Sequence, residues 1–224
     1  MILPSLADYY KAHDGQTCLI VGVGGNLKLT PPEWFDYPSF GVNTIYKYNG
    51  WKPEYFVGVD ERLEREDGKA ISEKYKDVAK FIPRPERDNW QGENFYRFYH
   101  RPGDVIVGGM LANHPKALTT FGIGYRKIMD AVLQIAWHMG FSTMLMIGVQ
   151  HKPFSKTEPD ADREHFWGTD LKAPPQQDFG YWFTGYNEVK NAMGANVKVL
   201  NISEDTYVPE NILPRDDWRN WRNT

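Results

Sequence analysis

The chain has 224 residues, 41% hydrophobic and 25% charged, enough for one globular domain with a full core and unlike a low-complexity segment. Lysine and arginine (26) nearly balance aspartate and glutamate (29), and no basic stripe appears, which excludes nucleic acid as a main partner. Cys18 is the single cysteine, so an internal disulfide and a cysteine-rich zinc site are excluded; in its apolar surroundings it reads as a core residue.

Residues 17–23 (TCLIVGV) are almost wholly apolar and end in glycines, the pattern of a strand buried on both faces of a parallel sheet. Residues 39–45 (SFGVNTI) and 55–60 (YFVGVD) read as the next strands, 78–82 (VAKFI) as a fourth and 104–107 (DVIV) as a short fifth. The run 61–69 is mixed in charge and reads as a solvated surface. Between Tyr125 and Gly140 the apolar residues recur at helical spacing, and Gly140 is the expected stop. Residues 143–149 (TMLMIGV) then read as a central strand, 181–193 as a helix ended by Gly194, and 196–202 (NVKVLNI) as the last strand. Strands alternating with helices predict an α/β domain of Rossmann-like type, a parallel sheet flanked by helices.

Two stretches resist this scheme. Residues 84–101 are dense in charge and aromatics, and 152–177 are polar with four prolines. The second has the length and composition of a lid-like loop. The expected domain spans residues 1–208, followed by a C-terminal arm over 209–224 in which Trp218 and Trp221 serve as anchors. Those tryptophans could mediate an oligomer, although a tail folded on its own domain is the simpler account. The first residues lack a charged segment followed by an apolar run, and no apolar run approaches about 18 residues. The expectation is a soluble, cytoplasmic chain without a membrane span.

The chemistry-bearing residues fall at predicted strand ends, where an open α/β sheet forms its ligand crevice. Gly22, Gly24, Gly25 and Asn26 follow the first strand; glycines there let backbone approach a phosphate. The run is neither a complete dinucleotide fingerprint nor a P-loop, and a tight turn without ligand explains such glycines equally well. Asn43 and Asp60 close the next two predicted strands, where they could bond a ribose or base edge, or simply cap their own backbone. His151 follows the strand at 143–149 and His165 sits in the polar loop; each is a candidate base with a structural role as its alternative. His138, near a helix end, reads as a surface residue or a partner of the helix dipole. No cluster has metal-ligand spacing, though Asp60 and Glu61 could help to hold Mg²⁺ on a diphosphate.

Taken in order, LIVGVGGNL, SFGVNTIY and WKPEYFVGVD resemble the opening motifs of the sialyltransferase-like proteins, a group that includes the archaeal-type 6-hydroxymethylpterin diphosphokinases. IAWHMGFSTMLMIGVQH, REHFWG and NAMGANVKVLNIS resemble the later ones, so the likeness covers about three quarters of the chain. The resemblance implies a Rossmann-like glycosyltransferase fold. Gly22, Gly24, Asn26 and Asn43 would then touch the nucleotide, with Asp60 beside it. It also implies transfer of a sugar from a nucleotide donor to a small-molecule or glycan acceptor without a cofactor. Mg²⁺-dependent transfer of diphosphate to a pterin-like alcohol is one alternative; a nucleotide- or glycan-binding protein without turnover is another. The chain departs from the family at Gly25-Asn26, which replaces Pro-Ser, at Gln150 and at Tyr125-Arg126-Lys127. It also has no histidine just before its last helix, which leaves His165, then His151, as the base.

Overall fold

The computed structural model describes residues 6–83, 93–98, 127–151, 164–166, 168–169 and 179–223. Its centre is β1 (Thr17–Val21), paired in parallel with β2 (Ser39–Val42) on one side and β6 (Thr143–Ile147) on the other. Beyond β2 lie β3 (Tyr55–Val57), β4 (Ala79–Pro83) and β5 (Phe95–Phe98); beyond β6 lies β9 (Lys198–Asn201). The order β5-β4-β3-β2-β1-β6-β9 is parallel throughout. The chain leaves β1 toward β2 and leaves β6 toward β9. The connections therefore diverge between β1 and β6, which is where an open sheet parts at its carboxyl edge to admit a ligand.

Both faces of the sheet are covered, which explains why its strands read as continuous apolar runs. Cys18, Ile20, Met144 and Met146 point to a core shared with α2 (Ile128–His138) and α3 (Phe179–Met193). Their neighbours Leu19, Val21, Leu145 and Ile147 point to the opposite core, closed by α1 (Glu61–Lys74) and Trp218. This is the expected Rossmann-like α/β architecture.

Several details differ from the sequence expectation. The second strand stops at Val42 because Asn43 turns into the left-handed region (φ 46°) and starts a 3₁₀ turn, Asn43–Lys47. The mixed-charge run after Asp60 is the first half of α1. Its polar outer face is solvated, while Leu63, Gly68 and Ile71 turn inward, too few apolar residues to show a helical period. Buried Lys80 closes the far end of α1, its ammonium bonding the Tyr75 and Val78 carbonyls at 2.8 Å; burial lowers its pKa to about 8. Strand β5 lies within the charged stretch 84–101. Gly140, at φ 93°, follows the end of α2 as expected. His138 in its last turn is buried rather than on the surface, with Nε2 donating to the Leu6 carbonyl at 3.1 Å. The strand expected at 104–107 lies outside the described residues, as does most of the loop 152–177. From that loop come β7 (Glu164–His165) and β8 (Gly168–Thr169), a small antiparallel pair.

After β9 the backbone returns beside the sheet, with the Asn201 N–H bonding the Pro214 carbonyl at 2.9 Å. Trp218 stacks on Trp34 with centroids 4.6 Å apart, and the Arg222 guanidinium lies 4.8 Å above the Trp34 ring. Among the described residues, no helix is long and apolar enough to cross a membrane.

Candidate functional site

The glycine run after β1 meets the end of β6 through bare backbone. The Gly22 N–H donates to the Ile147 carbonyl and the Gly24 N–H to the Gly148 carbonyl, both at 2.8 Å. A Cβ at Gly22 would stand 2.5 Å from the Gly148 oxygen, and one at Gly24 would stand 2.8 Å from it. Gly148 itself has φ 66°, a conformation that favours glycine, and a Cβ there would come 2.7 Å from the Gly22 oxygen. Strand-to-strand closure is therefore the first requirement for glycine at these positions.

Gly25 opens a 3₁₀ turn, Gly25–Lys28, in which Asn26 is buried. Its amide donates to the Glu204 carbonyl at 2.7 Å, while Oδ1 has no partner among the described residues. Residues 202–208 are thereby tied to β1. They are tied to β6 as well: the Thr206 hydroxyl donates to the Val149 carbonyl (2.7 Å), the Tyr207 N–H to the Gln150 carbonyl (2.9 Å), and the Gln150 amide to Asp205 (3.2 Å). Trp218 clamps the same segment from outside through a 2.6 Å bond from Nε1 to the Glu204 carboxylate. The sequence did not point to this wall, because its contacts join groups far apart in the chain.

Asn43 and Asp60 follow β2 and β3 at the same edge. Asn43 has a buried Oδ1 with no partner among the described residues. Asp60 is exposed and caps α1, its carboxylate accepting the Arg62 N–H at 2.8 Å.

Two histidines reach this edge from different directions. His165 comes from the long loop to pair with Gly24 in an antiparallel bridge, and its Nδ1 lies 3.3 Å from the Val23 carbonyl. The carbonyl can only accept, so Nδ1 carries the proton, and in the neutral ring Nε2 is the basic nitrogen. His151 lies just beyond β6 at φ 48°, a strained conformation for histidine, and its Nε2 is 2.7 Å from the Tyr186 hydroxyl. Burial and then the Lys127 ammonium hold the His151 pKa well below its ordinary value; burial and then Asp130 push Tyr186 well up. Lys127 lies over the Tyr186 ring, 3.8 Å from its centroid. Tyr186 and Asp130 escaped the sequence reading, hidden within two apolar helical patterns.

His13 and His138 sit at the opposite edge. His13 stacks on Phe141, which precedes β6, and His138 ends the helix leading there. His100 and His114 lie outside the described residues. Among the described residues, no group of three or more His, Cys, Asp or Glu side chains is placed to hold a metal ion.

No family model and no curated protein matches the sequence. Among solved structures, the chain is similar to the MAf glycosyltransferase from Magnetospirillum magneticum AMB-1, with a TM-score of 0.54 at 13% identity. The match takes in 99% of this chain and 40% of that one, so the chain spans about two fifths of that protein's length. At this identity the likeness is one of fold: the chain has a glycosyltransferase-like α/β architecture.

Proposed function

We propose that the chain is a nucleotide-sugar-dependent glycosyltransferase of sialyltransferase-like type, with its donor at the β1–β6 divergence and His165 as general base. The observation that carries this reading is the placement of His165: a histidine far along the chain docks on the glycine turn, its ring oriented by the Val23 carbonyl. Its proton on Nδ1 makes Nε2 the acceptor for a hydroxyl proton. In the reaction, the acceptor hydroxyl gives its proton to Nε2 as its oxygen bonds the anomeric carbon. The bond from that carbon to the nucleotide phosphate breaks, and its electron pair leaves on the phosphate oxygen. This chemistry needs no metal. Gly25, Asn43 and Asp60 supply the polar edge for the nucleotide, beside the backbone of Gly22, Gly24 and Asn26.

A thermal-shift panel of CMP, CDP, UDP, GDP and ATP, each with and without Mg²⁺, tests the reading. A ligand at about 100 times its Kd raises stability by about 2.7 kcal/mol. A metal-independent response to CMP is expected; a Mg²⁺-dependent response to ATP favours diphosphate transfer instead, and a panel without response removes the nucleotide reading. For turnover, His165→Ala is expected to lower kcat about 10²–10⁴-fold. A second reading, ligand binding without turnover, draws support from the departures from the family pattern at Gly25-Asn26, Gln150 and Arg126-Lys127. Saturable binding with no product from any donor and acceptor pair would establish it.

A further inference from the structure

Asn49-Gly50 is the only Asn-Gly pair in the chain, and both residues are exposed in a bend between the 3₁₀ turn Asn43–Lys47 and β3. Gly50 has φ 90°, a conformation that suits glycine, and it leaves its nitrogen without a shielding side chain. Among the described residues, neither the Gly50 N–H nor the Asn49 side chain has a hydrogen-bond partner. A backbone nitrogen that the fold has not used thus stands next to a carboxamide free to rotate toward it. The two Asp-Gly pairs show the contrast. The Gly15 N–H donates to the Gly140 carbonyl at 2.9 Å, and Gly68 lies buried inside α1.

The chain is held on both sides of this bend. The Tyr48 carbonyl accepts the Lys74 ammonium at 2.8 Å, and the Tyr48 hydroxyl donates to Glu33 at 3.2 Å. After the bend, Trp51 packs on the same core as Tyr48. The Tyr48 ring in turn meets Phe166, with centroids 5.2 Å apart at an angle of 66°. Phe166 follows His165, and its N–H donates to the Val23 carbonyl at 3.2 Å. Tyr48 therefore supports, through one ring contact, the segment that docks on the glycine turn. Glu33 lies against the bend as well: a Cβ at Gly50 would stand 3.5 Å from its Oε1.

We propose that Asn49 is a site of spontaneous deamidation, and that its product loosens the seat of Phe166 and His165 on the glycine turn. The Gly50 nitrogen, losing its proton to solvent, bonds the side-chain carbonyl carbon of Asn49, and the side-chain nitrogen leaves as ammonia. Water then adds to one of the two carbonyls of the cyclic imide. Opening at the side-chain carbonyl gives aspartate; opening at the main-chain carbonyl gives isoaspartate, in which the backbone runs through one more carbon. Either product carries a carboxylate beside the bend that lies against Glu33, where like charges repel. The extra carbon of isoaspartate must also be absorbed between two anchored neighbours, which displaces Tyr48 from Phe166. The modification does not depend on the glycosyltransferase reading; its cost to turnover does, because that cost passes through His165.

The test ages the full chain in mildly alkaline buffer, folded and in urea, and follows every asparagine by peptide mass spectrometry. In the folded chain Asn49 is expected to lose its amide before any other asparagine, at a rate within several-fold of that in urea, with aspartate and isoaspartate both formed. An Asn49 amide that survives in the folded chain while it is lost in urea overturns the site. The aged fraction, separated by its added negative charge, is expected to exchange the Phe166 amide proton several-fold faster than the fresh chain. Unchanged exchange overturns the link to the glycine turn. Asn49→Gln, which cyclises far more slowly, is expected to keep both its charge and its slow Phe166 exchange; equal loosening on ageing would also overturn that link. The expected ageing and exchange in a chain that shows no turnover even when fresh supports the Asn49 site and removes the glycosyltransferase reading alone.

Discussion

The carboxyl edge of the sheet has two halves that solve different problems. At the ends of β1 and β6, glycine backbone touches glycine backbone; the N–H groups of Gly22 and Gly24 and the side-chain NH₂ groups of Asn26 and Gln150 are engaged by the protein itself, and Asn26 Oδ1 alone has no partner among the described residues. At the ends of β2 and β3, Asn43 keeps a buried Oδ1 without a partner among the described residues, and Asp60 stands exposed. A glycine-rich turn therefore reports first on how closely two strands approach. Recognition of a ligand falls more heavily on side chains whose bonding capacity the fold has not used.

The comparison breaks most directly at Gly22. Gly22→Ala drives a Cβ to 2.5 Å from the Gly148 oxygen, a clash with backbone that no rotamer relieves. We expect a loss of about 3 kcal/mol, from overpacking at a rigid contact. For a chain of this size that lowers Tm by roughly 6–12 °C. A loss below about 1 kcal/mol would mean that closure does not require glycine here and that its presence answers to a ligand.

Asn26→Ala is the next largest. It removes the 2.7 Å bond to the Glu204 carbonyl and leaves that carbonyl to find another donor. A loss of about 2 kcal/mol in denaturant unfolding is expected. Trp218→Phe keeps an aromatic ring against Trp34 but deletes the donor to the Glu204 carboxylate, for about 1 kcal/mol. Because both bonds hold the same residue, the two losses should be coupled. A double-mutant cycle with an interaction energy above about 0.5 kcal/mol is expected. Simple additivity would show that the C-terminal segment and the glycine turn are held independently.

What the sequence could reveal follows the same division. The central strands were legible because both of their faces are covered, which leaves apolar runs such as CLIV and MLMI with no other good reading. Helices α2 and α3 were legible through their glycine stops. Helix α1 was not, because only a few of its residues turn inward and its outer face carries the charge that suggested a loop. At the site, residues that follow a strand directly could be placed at the edge, among them Asn43, Asp60 and His151. The Tyr186–His151 bond spans 35 positions and the Asn26–Glu204 bond spans 178, and no local pattern encodes either. Gly185 carries a trace of that packing, since a glycine inside a helix marks a close approach. The element that approaches cannot be named from the sequence.

The smallest stability effects sharpen the other half of the edge. Asp60→Asn preserves an oxygen that can accept the Arg62 N–H, and Asn and Asp are comparable caps, so stability should change by less than about 0.5 kcal/mol. Asn43→Gly removes the unpartnered Oδ1 and relieves a side chain held at φ 46°, with the greater freedom of the unfolded glycine offsetting part of that gain. Its net effect is also expected within about 0.5 kcal/mol. Folding is thus nearly silent at both positions, and any change in nucleotide affinity reports on contact with the ligand. We expect each substitution to weaken CMP binding several-fold in titration calorimetry, by loss of one hydrogen bond. If both retain full affinity while Gly22→Ala destabilises as described, neither half of the edge grips a nucleotide. The site would then have to be sought beside α3, where Tyr186 meets His151 from beyond the end of β6.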